Sequence, residues 1–192
     1  MPALILASTS SYRKQLLERL GVSFSTDRPD LDESQLPNES PTATAERLAL
    51  SKARAVVSRH PDALIIGSDQ VAYSGTERFD KPGTVERAIE QLQAMRGKSI
   101  FFHTALCLLD SRDGSYQLDA ASTEARFRDL SNEEITRYVL RELPLDCAGS
   151  AKAEGLGISL LEFMRGDDPT ALIGLPLISL CRMLRAVGIA VP

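Results

Sequence analysis

A run of hydroxyl side chains that includes Ser8 and Ser10 stands directly before Arg13 and Lys14. Leucines at helical spacing follow the run, so we expect a helix to begin near residue 11 with both cations in its first turn. That end of a helix disfavours cations unless an anion lies nearby, and a forked guanidinium beside hydroxyls suits a phosphate. A solvent-exposed Arg–Lys pair behind an ordinary serine N-cap explains the same residues, so both interpretations stay open.

Two carboxylates and a second cation could complete a phosphate site. Asp69 follows the apolar run of residues 63–66, and Glu33 lies in the polar, acidic segment of residues 27–39. Oxygen donors of this kind suit Mg²⁺ or Mn²⁺. Lys81 adds a positive charge at a rigid turn before a proline. Asp69 is equally compatible with an ordinary turn-capping role, and Glu33 has the same ambiguity.

Lys52 has an unusual position for a charged residue. In a helix that begins at Pro41, it falls on the same stripe as Ala45, Ala49 and Val56, which forms the apolar face. A lysine there either extends its ammonium past the helix edge to water or points it into a cleft. In combination, the hydroxyl loop, the carboxylates and the lysines favour phosphate ester chemistry with a divalent metal.

The elements that must position these residues can be assigned from hydrophobic periodicity. Apolar runs predict buried strands at residues 4–6 and 63–66, and the second ends at Gly67, so Asp69 would project beyond the carboxyl end of its strand. Helices are expected at residues 11–20, 41 to about 60, 84–97, 131–141 and 177–187, and further extended segments at 100–109, 116–128 and 158–163. This mixture predicts an α/β or mixed α+β fold without a linker, hence a single domain over residues 1–192.

The composition argues against several classes of protein. The 192 residues include 22 Lys and Arg against 26 Asp and Glu, a net charge of −4, which argues against a nucleic-acid polymer as partner. No apolar run approaches the roughly 20 residues of a membrane span, and the apolar start is too short for a signal peptide. The three cysteines form no CxxC pair, so neither a disulfide framework nor a zinc site is expected. We therefore expect a reduced, cytoplasmic protein without membrane association.

The order and spacing of the motifs resemble the Maf family of nucleoside triphosphate pyrophosphatases over nearly the whole chain. The matching segments are Leu6–Ser10 with Arg13, Asp32-Glu33, Arg47–Ala53, Ile66–Gln70, Lys81-Pro82, Phe127-Arg128 with Leu130, Ala148-Gly149 with Glu154–Gly157, and Gly174–Pro176. Each segment alone is nonspecific, whereas the shared order is strong support for the resemblance.

The resemblance implies a fold and a reaction. The fold would be related to the inosine triphosphate pyrophosphatases, with a twisted mixed sheet and two lobes around a central cleft. The reaction would be hydrolysis between the α and β phosphates of a nucleoside triphosphate, giving a monophosphate and pyrophosphate. Family members are often dimers, so a homodimer is a further expectation.

The resemblance also implies roles for individual residues. Asp69 matches the proton acceptor that activates water, and Lys52 and Lys81 match residues that assist catalysis and phosphate binding. Glu33 and Asp69 would hold the Mg²⁺ or Mn²⁺ ion. The substrate-binding residues would be Ser8, Ser10, Tyr12, Arg13, Gln70 and Glu154.

Two segments resemble the 7-methyl-GTP branch of the family. These are residues 68–70, Ser-Asp-Gln, and residues 149–155, which contain Glu154 where the dTTP/UTP branch usually has Gln. A carboxylate such as that of Glu154 can accept hydrogen bonds from both N1–H and the 2-amino group of guanine. The methylated ring is cationic, so it also favours an aromatic face, for which Tyr12 is the candidate.

Two alternatives stay open on this basis. The enzyme could act on dTTP, UTP or a broader set of modified nucleotides with the same chemistry. It could also be a nucleotide-binding regulator of cell division without useful catalysis, although both carboxylates and both lysines are present.

Overall fold

The computed structural model describes residues 2–191. Within this range the strands are β1 (Ala3–Ala7), β2 (Ser25–Asp27), β3 (Ala63–Ser74), β4 (Glu77–Arg78), β5 (Ser99–Asp110), β6 (Tyr116–Phe127) and β7 (Leu161–Arg165). The α-helices are α1 (Ser11–Glu18), α2 (Pro41–Arg54), α3 (Val85–Met95), α4 (Asn132–Glu142) and α5 (Leu177–Ala186). Short 3₁₀ turns occupy residues 57–59, 148–150, 156–160 and 171–173.

The strands form one mixed sheet. Their order is β2-β1-β3-β5-β6-β7, and β4 pairs with β3 outside this path. β1 runs parallel to both β2 and β3, whereas β7 runs antiparallel to β6. The predicted α/β or mixed α+β class is therefore confirmed.

The chain divides into two compact units. Unit 1 contains the residues up to Gln70, Thr104–Ala121, and the residues from Asp168 onward; unit 2 contains Val71–His103 and Ser122–Asp167. The single domain expected over residues 1–192 stays a prediction. Among the residues described, no helix is long and apolar enough to cross a membrane.

The core of unit 1 lies between its strands and the helices α1 and α5. Leu6 and Ile66 from the sheet are fully buried in one cluster with Leu17 of α1 and Leu180 of α5. Because parallel strands are covered on both faces, their sequences are continuously apolar, which is why the runs at residues 4–6 and 63–66 were recognisable.

Helix starts follow local capping chemistry. The hydroxyls of Ser10 and Ser40 accept hydrogen bonds from backbone N–H groups three residues later and begin α1 and α2. In unit 2, Ser131 and Glu134 form the reciprocal capping box of α4. These starts agree with the sequence predictions because a cap is a strictly local signal.

The predicted end of the second buried strand at Gly67 is wrong. β3 continues without interruption to Ser74, so Asp69 lies in the middle of a twelve-residue strand. A Cβ atom on Gly67 would stand 2.1 Å from the carbonyl oxygen of Ala49 in α2. The glycine therefore permits a close approach of helix to strand, and it does not break the strand.

Two other boundaries differ from the predictions by three residues or more. α2 ends at Arg54 and not near residue 60, since the chain turns into a 3₁₀ segment whose last residue, Arg59, hydrogen-bonds Asp27 at the end of β2. The strand predicted at residues 158–163 begins only at Leu161, because residues 156–160 form a 3₁₀ turn. Both differences arise from contacts between distant parts of the chain or from turn geometry, which periodicity does not report.

Candidate active site

The centre of the candidate site is the ammonium group of Lys52. Its Nζ lies 2.6 Å from Oδ1 of Asp69 and 2.7 Å from Oε2 of Glu33. Lys52 and Asp69 are buried, whereas 52% of the Glu33 side chain is exposed. The structure thus excludes a lysine that extends past the helix edge to water, and it brings three of the predicted site residues together within unit 1.

The backbone explains how a buried lysine meets a buried aspartate. Lys52 lies on the same face of α2 as Ala45 and Ala49, which are fully buried, and Val56, just beyond the end of the helix, is fully buried as well. The close approach of α2 to Gly67 brings this face near β3. Asp69 lies two residues further along the strand and accepts a hydrogen bond from the Lys52 ammonium.

Arg13 is tied to the protein and is not a solvated surface cation. Its Nε donates to the carbonyl of Gly174 at 2.8 Å, and Nη1 lies 3.4 Å from the hydroxyl of Ser8. Burial lowers the pKa of the Arg13 guanidinium, while the negative charges of Asp69 and Glu33 oppose that shift. The charges of both carboxylates in the Lys52 cluster thus act on the arginine that is bonded to the hydroxyl loop.

The hydroxyls of the first loop act as acceptors in its framework. Ser8 Oγ accepts from the backbone N–H of Ser10, and Ser10 Oγ accepts from the N–H of Arg13. A hydroxyl that accepts in this way still has its own hydrogen to donate. Tyr12 is partly buried on the first turn of α1.

Asp69 stands between two side chains that anchor β3 to the turn near residue 172. The hydroxyl of Ser68 donates to the carbonyls of Ala105 and Gly174. The amide nitrogen of Gln70 lies within hydrogen-bond distance of Thr104 Oγ1 and of the carbonyls of residues 171 and 172. The amide nitrogen of Gln70 is thus bonded within the protein. The side-chain oxygen of Gln70 makes no hydrogen bond to the described residues.

The acidic loop is held by a residue whose role the sequence did not reveal. Arg47, which looks like ordinary surface charge in the sequence, forms a two-pronged ion pair with Glu39 and donates to the carbonyl of Ser34. Thr44 donates to the same carboxylate. These bonds hold the loop that carries Glu33 against α2. The one sequence signal for a role of Arg47 is its place in the family motif.

Lys81 and Glu154 belong to unit 2. Lys81 is exposed beside the buried Pro82, and it makes no ion pair with any residue that the structure describes. Glu154 lies between the 3₁₀ turns at residues 148–150 and 156–160. Partial burial raises the pKa of Glu154 above its usual value, helped by the like charges of Glu142 and Asp146 and opposed by Lys152.

The residues that could hold a metal ion beside Lys52 are two carboxylates. Across residues 2–191, no group of three or more His, Cys, Asp or Glu side chains is arranged to hold a metal ion. Asp69 and Glu33, which meet at Lys52, offer only oxygen atoms. Mg²⁺ is usually held by one or two carboxylates together with waters and substrate phosphates, so this set suits it.

Comparison with known proteins identifies a matching family model and close relatives of the chain. A family model described as Maf-like protein matches residues 3–187. The 7-methyl-GTP pyrophosphatase of Aromatoleum aromaticum is 60% identical over 98% of this chain and 97% of its own length. Proteins of the same name from Burkholderia thailandensis and Cupriavidus pinatubonensis are 56% and 55% identical, each over 98% of this chain and over 89% and 94% of their own lengths. With matches of this extent and identity, the chain belongs to the Maf family.

Proposed function

We propose that the protein hydrolyses 7-methyl-GTP to 7-methyl-GMP and pyrophosphate. Relatives that are 55–60% identical over nearly their full length are named 7-methyl-GTP pyrophosphatases. The matched regions cover 98% of this chain, so they include both the phosphate-binding segments and the segment around Glu154. The proposal therefore includes the base as well as the reaction.

The observation that supports the reaction most is the buried Lys52 ammonium between Asp69 and Glu33. Removing an ammonium and a carboxylate from water is costly, and well-packed apolar residues often serve stability equally well. A chain that keeps this cluster beside Arg13 has an arrangement suited to a polyphosphate, with cations for the phosphates and carboxylates for a proton and a metal.

In this mechanism Asp69 accepts the proton of the attacking water. Lys52 occupies Oδ1 of Asp69, and none of the described residues donates to Oδ2, which is the oxygen available to the water. The water oxygen forms a bond to the α phosphorus while the bond to the bridging oxygen breaks. Pyrophosphate leaves with the electron pair of that bond, and the positive charges of Arg13 and Lys52 stabilise it. Lys81, which belongs to unit 2, remains a prediction for phosphate binding and catalysis.

The cofactor proposal is Mg²⁺ or Mn²⁺ held by Asp69 and Glu33. When bound, such an ion supplies charge for the phosphate oxygens and makes a water more acidic. The hydroxyls of Ser8 and Ser10 would donate to phosphate oxygens beside Arg13.

Glu154 and Tyr12 each remain a predicted residue for recognition of the base. A carboxylate accepts the two neighbouring N–H donors of guanine, and an aromatic ring favours the cationic methylated base. Gln70 remains a substrate-binding prediction through its side-chain oxygen. Cytoplasmic localisation, a homodimeric state and the lack of a nucleic-acid partner also remain predictions.

A nucleotide panel tests the proposal. We expect the protein with Mg²⁺ or Mn²⁺ to release 7-methyl-GMP and pyrophosphate from 7-methyl-GTP in preference to GTP, dTTP, UTP, CTP and ATP. Asp69→Asn should lower turnover by about 10²–10⁴-fold, the usual contribution of a general base. Asp62→Asn, at an exposed carboxylate, is the matched control and should leave turnover unchanged.

Each contrary result has a definite meaning. Preferential turnover of dTTP or UTP would keep the reaction but overturn the base assignment. Nucleotide binding without product would favour a regulator without catalysis. Near wild-type turnover by Asp69→Asn would remove Asp69 from its role as proton acceptor.

A further inference from the structure

Glu142 joins helix α4 to the segment of residues 152–157, which carries Glu154. Its Oε1 lies 3.0 Å from Nζ of Lys152, and its Oε2 accepts from the backbone N–H of Leu156 at 2.8 Å. Only 11% of the Glu142 side chain is exposed. One carboxylate thus binds this segment on both sides of Glu154.

The same segment is closed on itself. The backbone N–H groups of Gly155 and Gly157 both donate to the carbonyl of Lys152, and the N–H of Lys152 donates to the hydroxyl of Tyr138 in α4. A Cβ atom on Gly155 would lie 2.8 Å from Oε1 of Glu142. The glycine therefore lets the turn rest directly on the carboxylate.

Helix stability does not account for a glutamate at this position. Glu142 is the last residue of α4, where the helix dipole disfavours a negative charge. The following residue, Leu143, takes the left-handed conformation with φ 48° and ends the helix. Among the described residues, the hydrogen bond and the ion pair of the Glu142 carboxylate both go to the turn, at Leu156 and Lys152, so we expect its effect there.

We propose that Glu142 is a positioning residue for base selectivity, which it provides by holding the turn of Glu154 and by engaging Lys152. This inference rests on the proposed function. Lys152 is two residues from Glu154, and its positive charge acts on that carboxylate. Without Glu142, the ammonium of Lys152 would turn to Glu154 and compete with the N–H donors of guanine.

The test compares Glu142→Gln with wild type in steady-state hydrolysis of 7-methyl-GTP. We expect KM to rise roughly tenfold, the scale of one lost charge-assisted hydrogen bond, with kcat within about twofold. Pyrophosphate, which carries no base, should inhibit both proteins with the same inhibition constant. Glu90→Gln, an exposed glutamate on α3, is the matched control and should behave as wild type.

A double variant separates positioning from a general structural role. Glu142→Gln combined with Lys152→Met has no ammonium to compete for Glu154, so we expect it to recover most of the KM for 7-methyl-GTP. A purely structural role predicts that the double variant is at least as impaired as the single one. Glu142→Asp, which keeps the charge with a shorter reach, replaces Glu142→Gln if that variant does not fold, and the same rise in KM is expected.

Three outcomes overturn the inference. These are an unchanged KM in Glu142→Gln, an equal rise in KM and in the pyrophosphate inhibition constant, and no recovery in the double variant. Failure of the proposed function is distinct, because wild type itself would then not hydrolyse 7-methyl-GTP.

Discussion

At the scale of single residues, the site depends on which charges meet. The buried Lys52 pairs with the buried Asp69 and with the half-exposed Glu33, and the negative charges of both carboxylates act on the Arg13 guanidinium. In a region of low dielectric, such charges interact strongly with one another and with any phosphate that enters. We therefore expect this cluster to supply both the affinity for the phosphates and the proton acceptor.

Glu154 gives the residue-scale prediction for base choice. Glu154→Gln replaces one acceptor oxygen by an amide donor, so the two N–H donors of guanine lose a charged partner. We expect kcat/KM for 7-methyl-GTP to fall by about 10- to 100-fold relative to that for dTTP. Parallel kinetics with both nucleotides measure the ratio, and an unchanged ratio would show that Glu154 does not read the base.

Sequence patterns predicted some of these residues for physical reasons. A lysine on a stripe of small apolar residues is conspicuous, and Lys52 was singled out on that ground. The ion pair of Arg47 with Glu39 was missed because its partner lies eight residues away in a loop without periodicity. The engagement of Arg13 by Gly174 spans 161 residues, and no local rule reports such a contact.

At the scale of elements, Gly67 sets the distance between α2 and β3. A Cβ atom there would meet the Ala49 carbonyl at 2.1 Å and the Ala53 nitrogen at 2.8 Å, both of which are backbone atoms. Helix and strand would have to separate, and Lys52 would then lose its place beside Asp69. The spacing of the two elements is therefore part of the site.

Gly67→Ala should consequently destabilise the protein and impair the site together. We expect the free energy of unfolding to fall by about 3 kcal/mol or more, the upper range for forced overpacking of a core. Urea unfolding measures the loss, and the surviving folded fraction should turn over substrate slowly. Gly21→Ala is the control: nothing lies within 4 Å of its Cβ, so only its left-handed backbone, φ 65°, costs about 1–2 kcal/mol.

If Gly67→Ala is no less stable than Gly21→Ala, the tight approach of α2 to β3 is not a determinant of stability.

Element ends are harder to predict from sequence than element starts. Ser10, Ser40 and Ser131 begin helices through bonds to their own neighbours. Glycine is a residue type that often interrupts strands. Only the contact of Gly67 with α2 shows that it lies within a continuous strand and lets the helix approach closely.

At the scale of the whole molecule, ion pairs make the free energy of unfolding depend on pH in the acid range. The hydrogen bond from Arg47, with further donors, lowers the pKa of Glu39 to about 2. Arg59, with His60, lowers the pKa of Asp27 to about 2. Their unfolded-state values are about 4. The stabilisation is therefore complete above about pH 4 and is lost as the pH falls toward 2.

Glu39→Gln should flatten the acid side of the stability profile. The variant has less stability to lose between about pH 4 and pH 2, because residue 39 no longer binds a proton there. Urea unfolding at several pH values measures the slope, with Glu90→Gln as the control on an exposed glutamate. A slope equal to that of wild type would mean that the Arg47–Glu39 pair does not contribute to acid stability.

The most direct test of the central claim is the fate of the water oxygen. Hydrolysis of 7-methyl-GTP in water enriched in heavy oxygen, followed by mass spectrometry of both products, reports which phosphorus is attacked. We expect one heavy oxygen in 7-methyl-GMP and none in pyrophosphate, with the reaction lost in Asp69→Asn. Label in pyrophosphate, release of inorganic phosphate, or no product at all would contradict the account.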